Sequence, residues 1–296
     1  IINECENLKK NTNCPNEQVV ALLSVIASNY SITTEKNENG ELENIEFSHE
    51  GDLHSQLMLI REQFKGIKYL GPLSELVIAQ DEPPSFPTNA PFGPNGEFFF
   101  AYFHRFKDEN ITAPVPEISD EDLKKPANKR NVKFTVEQNI KLQDAMNMWL
   151  QFFDLADNFT TQKDTERGDI VAYVTPRNLN RSVQMTEIGV GFSQLAPIIL
   201  LCLASKPGDT LLIEQPEEHI HPAGQQRFAN LAIEFAKNDV QMIIETHSDH
   251  IVNRLRREVV ESDQSLNRLF SLFFVERIDG KTKFTESEID ELGRFS

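Results

Sequence analysis

The chain has 296 residues, of which 39% are hydrophobic and 25% charged, the make-up of a globular protein with enough chain for one large domain or two ordinary ones. Against 46 Asp and Glu it carries 29 Lys and Arg, for a formal charge of −17. That balance excludes a basic nucleic-acid coat and argues against anionic membrane surfaces, while leaving room for one local basic groove. No run of 18 apolar residues occurs, so no membrane-spanning helix is predicted. Three cysteines, Cys5, Cys14 and Cys202, are too few for a disulfide framework and point to a reducing, cytoplasmic setting. The first residue is Ile1 and no signal-peptide pattern follows it, so a piece of a longer protein is expected.

Residues 1–66 are polar, with amphipathic stretches at Gln18–Ala27 and Leu53–Phe64, and read as a helical arm or insertion. Residues 67–134 hold nine of the 15 prolines, from Pro72 to Pro126. That density excludes long helices and central strands. An irregular insertion packed on the core is expected here, with the aromatic run Phe92–Phe106 as its packing face and Asp120–Arg130 as an exposed loop. No internal repeat of fixed period is present.

From Thr135 the pattern turns periodic. Val136, Ile140, Leu142, Ala145, Met148, Trp149, Phe152 and Phe153 recur at helical spacing and predict a helix to about Ala156. Strands are predicted at Ile170–Thr175 and Val183–Ile188, and a buried helix at Ser193–Ser205. Next come a strand at Thr210–Glu214, a helix at Pro222–Lys237 with proline in its first turn, a strand at Val240–Glu245, and a helix capped by Asp249. Leu269–Ile278 and Lys281–Ile289 flank Asp279-Gly280, a hairpin signal within a small C-terminal domain from about residue 262. Strand–helix–strand–helix predicts an α/β fold over 135–296, a mainly parallel sheet flanked by helices. In such sheets ligands bind beyond the carboxyl ends of the strands.

Two of those ends carry acids and histidines. One reads Leu211-Leu212-Ile213-Glu214-Gln215-Pro216-Glu217-Glu218-His219-Ile220-His221-Pro222, the other Ile243-Ile244-Glu245-Thr246-His247-Ser248-Asp249-His250. Charge delivered by an apolar strand to a crevice mouth is costly unless it serves a metal, a phosphate or a reaction. His219, His221, His247 and His250, with Glu214, Glu217 and Asp249, are the residues a zinc hydrolase would use. They are split between two strands, however, and zinc needs three or four converging ligands. Arg254, Arg256 and Arg257 would suit either a nucleic-acid backbone or a solvated helix face, with the second favoured. Phe98–Phe100, Tyr102, Phe103 and Phe106 read as packing rather than base stacking, because only Arg105 and Lys107 interleave.

Taken together, residues 67–296 resemble the C-terminal half of an ABC-type P-loop ATPase of the group related to OLD, RecF and SMC proteins. Within it they are most similar to bacterial ATPases found as stand-alone genes and in anti-phage defence cassettes. Leu211–Pro216 is similar to a Walker B strand and Glu218–Pro222 to the "ELHLHP" segment that follows it. Ile243–Ser248 resembles the switch-histidine strand with its "ETHS" ending, and Ile188–Leu195 the degenerate signature "VGFGVSQ". Tyr69–Leu73 resembles a "YLGPLR" element and Ile289–Phe295 an "LDELGRF" element.

The resemblance implies ATP and Mg²⁺ as cofactors. Glu214 would hold the water shell of Mg²⁺, and His247 would contact the γ-phosphate. Gln215 stands where most ABC ATPases carry the catalytic glutamate; it can orient a water but cannot take its proton, which leaves Glu217 as the candidate base and implies slow turnover. Gly189, Gly191, Ser193 and Gln194 of the signature element would reach, in trans, the nucleotide held by a partner head. A homodimer or higher oligomer would thus close on ATP and reopen on hydrolysis. An effector of the nuclease type is the implied partner, with DNA a further one and no membrane. Two more departures from the family pattern stand out: no G-x-x-x-x-G-K-[ST] occurs, so the Walker A lobe is absent from this chain, and Ser74 replaces the arginine of "YLGPLR". The rival reading is a non-hydrolysing, nucleotide-gated scaffold for an effector nuclease.

Overall fold

The computed structural model describes residues 31–36, 42–48, 66–71, 86, 90–164, 168–177, 179, 181–262 and 265–295. The chain divides into two compact units, 1–64 and 65–296. Cys5, Cys14, the stretches 18–27 and 53–64, and Ser74 lie outside the described residues.

In the first unit β1 (Ser31–Lys36) and β2 (Leu42–Ser48) pair antiparallel, Ser31 opposite Ser48. Residues 31–36 and 42–48 are thus strands within the region read as a helical arm or insertion. Ile32, Thr33, Thr34, Ile45 and Phe47 are β-branched or aromatic, and Asn39-Gly40 falls between the strands in sequence. Strand propensity outweighs the polar composition there.

The second unit runs β3 (Ile67–Leu70), α1 (Phe99–Phe106), β4 (Asn110–Ile118), α2 (Asp120–Leu123), β5 (Val132–Lys141), α3 (Leu142–Phe153), β6 (Ala156–Lys163), β7 (Ile170–Pro176) and β8 (Val183–Gln184). It continues with α4 (Val190–Leu203), β9 (Thr210–Glu214), α5 (Pro222–Ala236), β10 (Gln241–Glu245), α6 (Asp249–Glu261), β11 (Leu272–Ile278) and β12 (Lys281–Ser287). A parallel sheet of order β10-β9-β3 is flanked by helices, the predicted α/β class. Antiparallel sheets β4-β5 and β6-β7-β8 and the hairpin β11-β12 complete the unit. Among the described residues no helix is long and apolar enough to cross a membrane.

In the parallel sheet Leu211 lies beside Met242 on one side and Lys68 on the other. Alternation then turns Leu211, Ile213, Met242 and Ile244 to one face, and Tyr69, Leu212 and Ile243 to the opposite face. The first face is packed into the helical core, with Leu211 and Ile213 buried. On the second, Ile243 is 55% exposed.

Several expectations need correction. The aromatic segment is a helix inside the core, not the face of an irregular insertion: Phe99, Phe100 and Phe103 of α1 are fully buried, and Phe103 packs against Phe159 with ring centroids 4.6 Å apart. Prolines 114 and 116 sit in β4, which among the described residues is paired on one side only and so tolerates residues without an N–H. The predicted helix from Thr135 begins at Leu142, because residues to Lys141 belong to β5; Val136 and Ile140 are four apart, a spacing shared by a strand and a helix. The run Val183–Ile188 is strand only to Gln184 and then turns through a short 3₁₀ helix, Met185–Glu187. Asp120–Arg130 holds α2 and ends in a buried side chain, Arg130, which is 5% exposed and donates to Asp154 at 2.8 Å.

The Asp279-Gly280 hairpin forms as predicted. Both turn residues have positive φ, 51° and 76°, and Ile278 pairs with Lys281.

Trp149 is the largest fully buried side chain; its indole N–H donates to Pro114 O at 3.0 Å and its ring stacks on Phe134. Trp149→Ala is expected to lower unfolding free energy by about 3–5 kcal/mol in urea titration.

Candidate functional site

β9 and β10 end in register, so Glu214 and Glu245 emerge side by side, both exposed, at the carboxyl end of the sheet. After Glu214 the chain bends through Gln215 at φ 44°, and the Gln215 N–H donates to Glu245 O at 2.9 Å, which carries the ladder past the last strand residue. The Tyr69 hydroxyl, from β3, donates to Glu214 Oε1 at 3.1 Å. Burial, and then the Glu214 carboxylate, push the Tyr69 hydroxyl above the ordinary phenol range, so it remains a donor at neutral pH. A Cβ at Gly71 would stand 2.6 Å from that hydroxyl; glycine there makes room for the phenol to reach the acid.

Beyond β10, the segment Thr246–Ser248 forms the second wall. The His247 side chain is 78% exposed, with Nε2 3.2 Å from Glu245 Oε1. Its backbone N–H donates to Glu217 Oε1 at 2.7 Å, and the Thr246 hydroxyl donates to Glu217 Oε2 at 2.6 Å. Ser248, not the expected Asp249, caps α6, because its Oγ reaches the Ile251 N–H at 3.2 Å. The same hydroxyl donates to Gln225 Oε1 at 2.6 Å, and Gln225 Nε2 donates to Ile220 O at 2.9 Å. The loops after β9 and β10 are thereby knitted together.

The signature-like element abuts the first loop. Helix α4 opens at Val190 with Gly189 as its N-cap, rather than at Ser193 as expected. A Cβ at Gly191 would lie 3.6 Å from His219 O, and Gln194, 2% exposed, brings Nε2 to 3.5 Å from Gln215 O. Gly189 is exposed and Ser193 half-buried in the first turn. Glu214, Gln215, Glu217, His247, Gly191 and Gln194 are thus gathered around two loops, with Gly189 and Ser193 on the helix end beside them. Tyr69, Glu245, Thr246 and Ser248, which lie in the "YLGPLR"- and "ETHS"-like elements, and Gln225, which lies in no motif, join them through contacts that no local spacing announces.

Other candidates are occupied elsewhere. His221 Nδ1 accepts from the Ala223 N–H at 3.2 Å and caps α5. Among the described residues no group of three or more His, Cys, Asp and Glu side chains is placed to hold a metal ion, so the histidines are not gathered into a zinc site. Arg254 and Arg257 pair within α6 with Glu258 and Glu261, and the Arg256 guanidinium lies 5.2 Å over the Phe295 ring. The cluster is a paired helix face, not a free basic stripe.

The AAA ATPase domain family matches residues 95–252, more than half of the chain. The chain belongs to that family. Among solved structures, the AAA ATPase domain is similar to the SMC head domain from Thermotoga maritima, at 12% identity and a TM-score of 0.36, over 88% of this chain and 70% of that one. It is also similar to the Smc head domain with an extended coiled coil bound to the C-terminal domain of ScpA, from Pyrococcus furiosus, at 15% identity and a TM-score of 0.37. That overlap covers 49% of this chain and 34% of the other. A structure of SMC ATPases, described for ATP-driven dimerization and DNA-stimulated activation, matches at 17% identity and a TM-score of 0.34, over 48% of this chain and 88% of that one. No curated protein matches the chain.

The donor set of this ATPase domain fits a hard cation held through water, because Glu214 and Glu245 offer carboxylate oxygens at one exposed edge. The motif that cradles phosphate in P-loop proteins, G-x-x-x-x-G-K-[ST], does not occur in the sequence. Ser248→Ala removes the cap of α6 and strands the Gln225 amide; a loss of about 1–2 kcal/mol is expected in urea unfolding.

Proposed function

We propose that this domain binds ATP and Mg²⁺ at the carboxyl ends of β9 and β10 and acts as a conformational switch, two heads closing on nucleotide and reopening after slow hydrolysis. The observation that carries the reading is the pair of in-register strand ends, Glu214 beside Glu245, with the exposed His247 ring across the same mouth. Glu214, steadied by Tyr69, would hold the water shell of Mg²⁺. Mg²⁺ bound there would neutralise phosphate charge. The exposed His247 imidazole, with Nε2 beside Glu245 Oε1, would turn to meet a γ-phosphate. The Gln215 amide can orient water without taking its proton, which makes turnover slow.

The phosphate cradle would come from a segment or polypeptide outside these residues. The open face of the sheet at β10 supports this: Ile243 is 55% exposed on a parallel strand, and parallel sheets are ordinarily covered on both faces. Gly189, Gly191, Ser193 and Gln194 at the start of α4 would face the nucleotide of the partner head, since a helix N-terminus favours phosphate. By resemblance to the OLD, RecF and SMC-related group, the domain serves as the cytoplasmic ATPase or sensor subunit of a bacterial anti-phage defence or DNA-surveillance system, passing its state to a nuclease-type effector, with DNA as a further ligand. That last step rests on family analogy. Gln215 favours one rival, a nucleotide-gated scaffold that does not hydrolyse.

ATP turnover by the full-length protein tests the reading. Glu214→Gln and His247→Ala are each expected to reduce it by about 100-fold or more. ATP retained without turnover in the wild type would select the scaffold, and no ATP binding at all would refute the proposal.

A further inference from the structure

We infer that Glu217 is a positioning residue of this site: its carboxylate holds the backbone of the loop after β10 so that the His247 ring is presented beside Glu245, and it is not the group that takes a proton from water. As a statement about turnover this rests on the ATP-site reading above; as a statement about the loop it rests on geometry alone. Both carboxylate oxygens point at that loop, Oε1 accepting from the His247 N–H at 2.7 Å and Oε2 from the Thr246 hydroxyl at 2.6 Å. Thr246 Oγ1 in turn accepts from the Ser248 N–H at 3.0 Å. Ser248 Oγ donates to Gln225 Oε1 at 2.6 Å, and Gln225 Nε2 closes the ring at Glu217 O, 3.4 Å away. One short segment is therefore held by its hydroxyls and amides from a loop some thirty residues earlier in sequence. With the His247 side chain 78% exposed, packing does not fix the imidazole; the position of its main chain does.

Glutamine separates the two roles. In Glu217→Gln the amide oxygen can still accept from the His247 N–H, and the amide nitrogen can donate to a lone pair of Thr246 Oγ1, but the side chain can no longer accept a proton. Alanine leaves both donors unpaired. The test is carried out on the full-length protein, measuring hydrogen exchange of the His247 amide and ATP turnover in wild type, Glu217→Gln and Glu217→Ala. The expected result is that glutamine keeps His247 exchange within about threefold of wild type and lowers turnover by less than about tenfold, whereas alanine speeds exchange by about tenfold or more and lowers turnover by more than about tenfold. Loss of turnover by about 100-fold or more in Glu217→Gln, with the His247 amide still protected, would make Glu217 the base and overturn the inference. Unchanged exchange in Glu217→Ala would overturn it as well. A wild type without turnover refutes the ATP-site reading, while the exchange measurement still decides whether Glu217 holds the loop.

Discussion

Register between β9 and β10 is the constraint on which the site depends. Leu211, Ile213, Met242 and Ile244 share one packed face, and a slip of one residue would turn them to the open side and drive Glu214 and Glu245 toward the core. Burying two unpaired carboxylates costs far more than the ladder gains from any single hydrogen bond. The apolar pattern of the strands and the charge at their ends therefore enforce the same alignment. The Gln215 N–H to Glu245 O bond extends that alignment into the loop, where regular pairing would otherwise stop.

Two like charges at adjacent strand ends repel, and the surroundings divide their partners. Tyr69 donates to Glu214, and the His247 ring stands next to Glu245. Both acids are exposed, so water screens what remains of the repulsion. The polar groups closest to the mouth sit on loops, and the loops are tied to rigid elements: Ser248 to the first turn of α6, Gln225 to α5, Gln194 to buried α4. Mobile side chains on a fixed frame are the usual arrangement for binding chemistry. The frame is strong because the aromatic helix α1, the Trp149 cluster and α4 share one core.

How much was legible in the sequence depended on how local the signal was. Strands at Thr210–Glu214 and Gln241–Glu245, helix α5 behind its proline and the hairpin at Asp279-Gly280 were legible, because short apolar runs, a first-turn proline and a turn dipeptide each act on their own neighbours. Residues 135–141 were misread, because a spacing of four satisfies both backbone periods and only the partner strand β4 selects between them. Proline density around α1 suggested an irregular surface, yet the phenylalanines between the prolines had a larger burial to gain in the core.

By itself, the sequence determined that acids and histidines would end two apolar strands of an α/β sheet, since alternation and chain order are local properties. Only the tertiary structure decided which groups those acids meet. Tyr69 reaches Glu214 across 145 residues, and Glu217 reaches Thr246 and His247 across 29 and 30. Such contacts have no local signature: they arise when β3 packs beside β9 and when α5 returns the chain to β10, so their partners are chosen by packing and by the need of buried or half-buried polar groups to find hydrogen bonds.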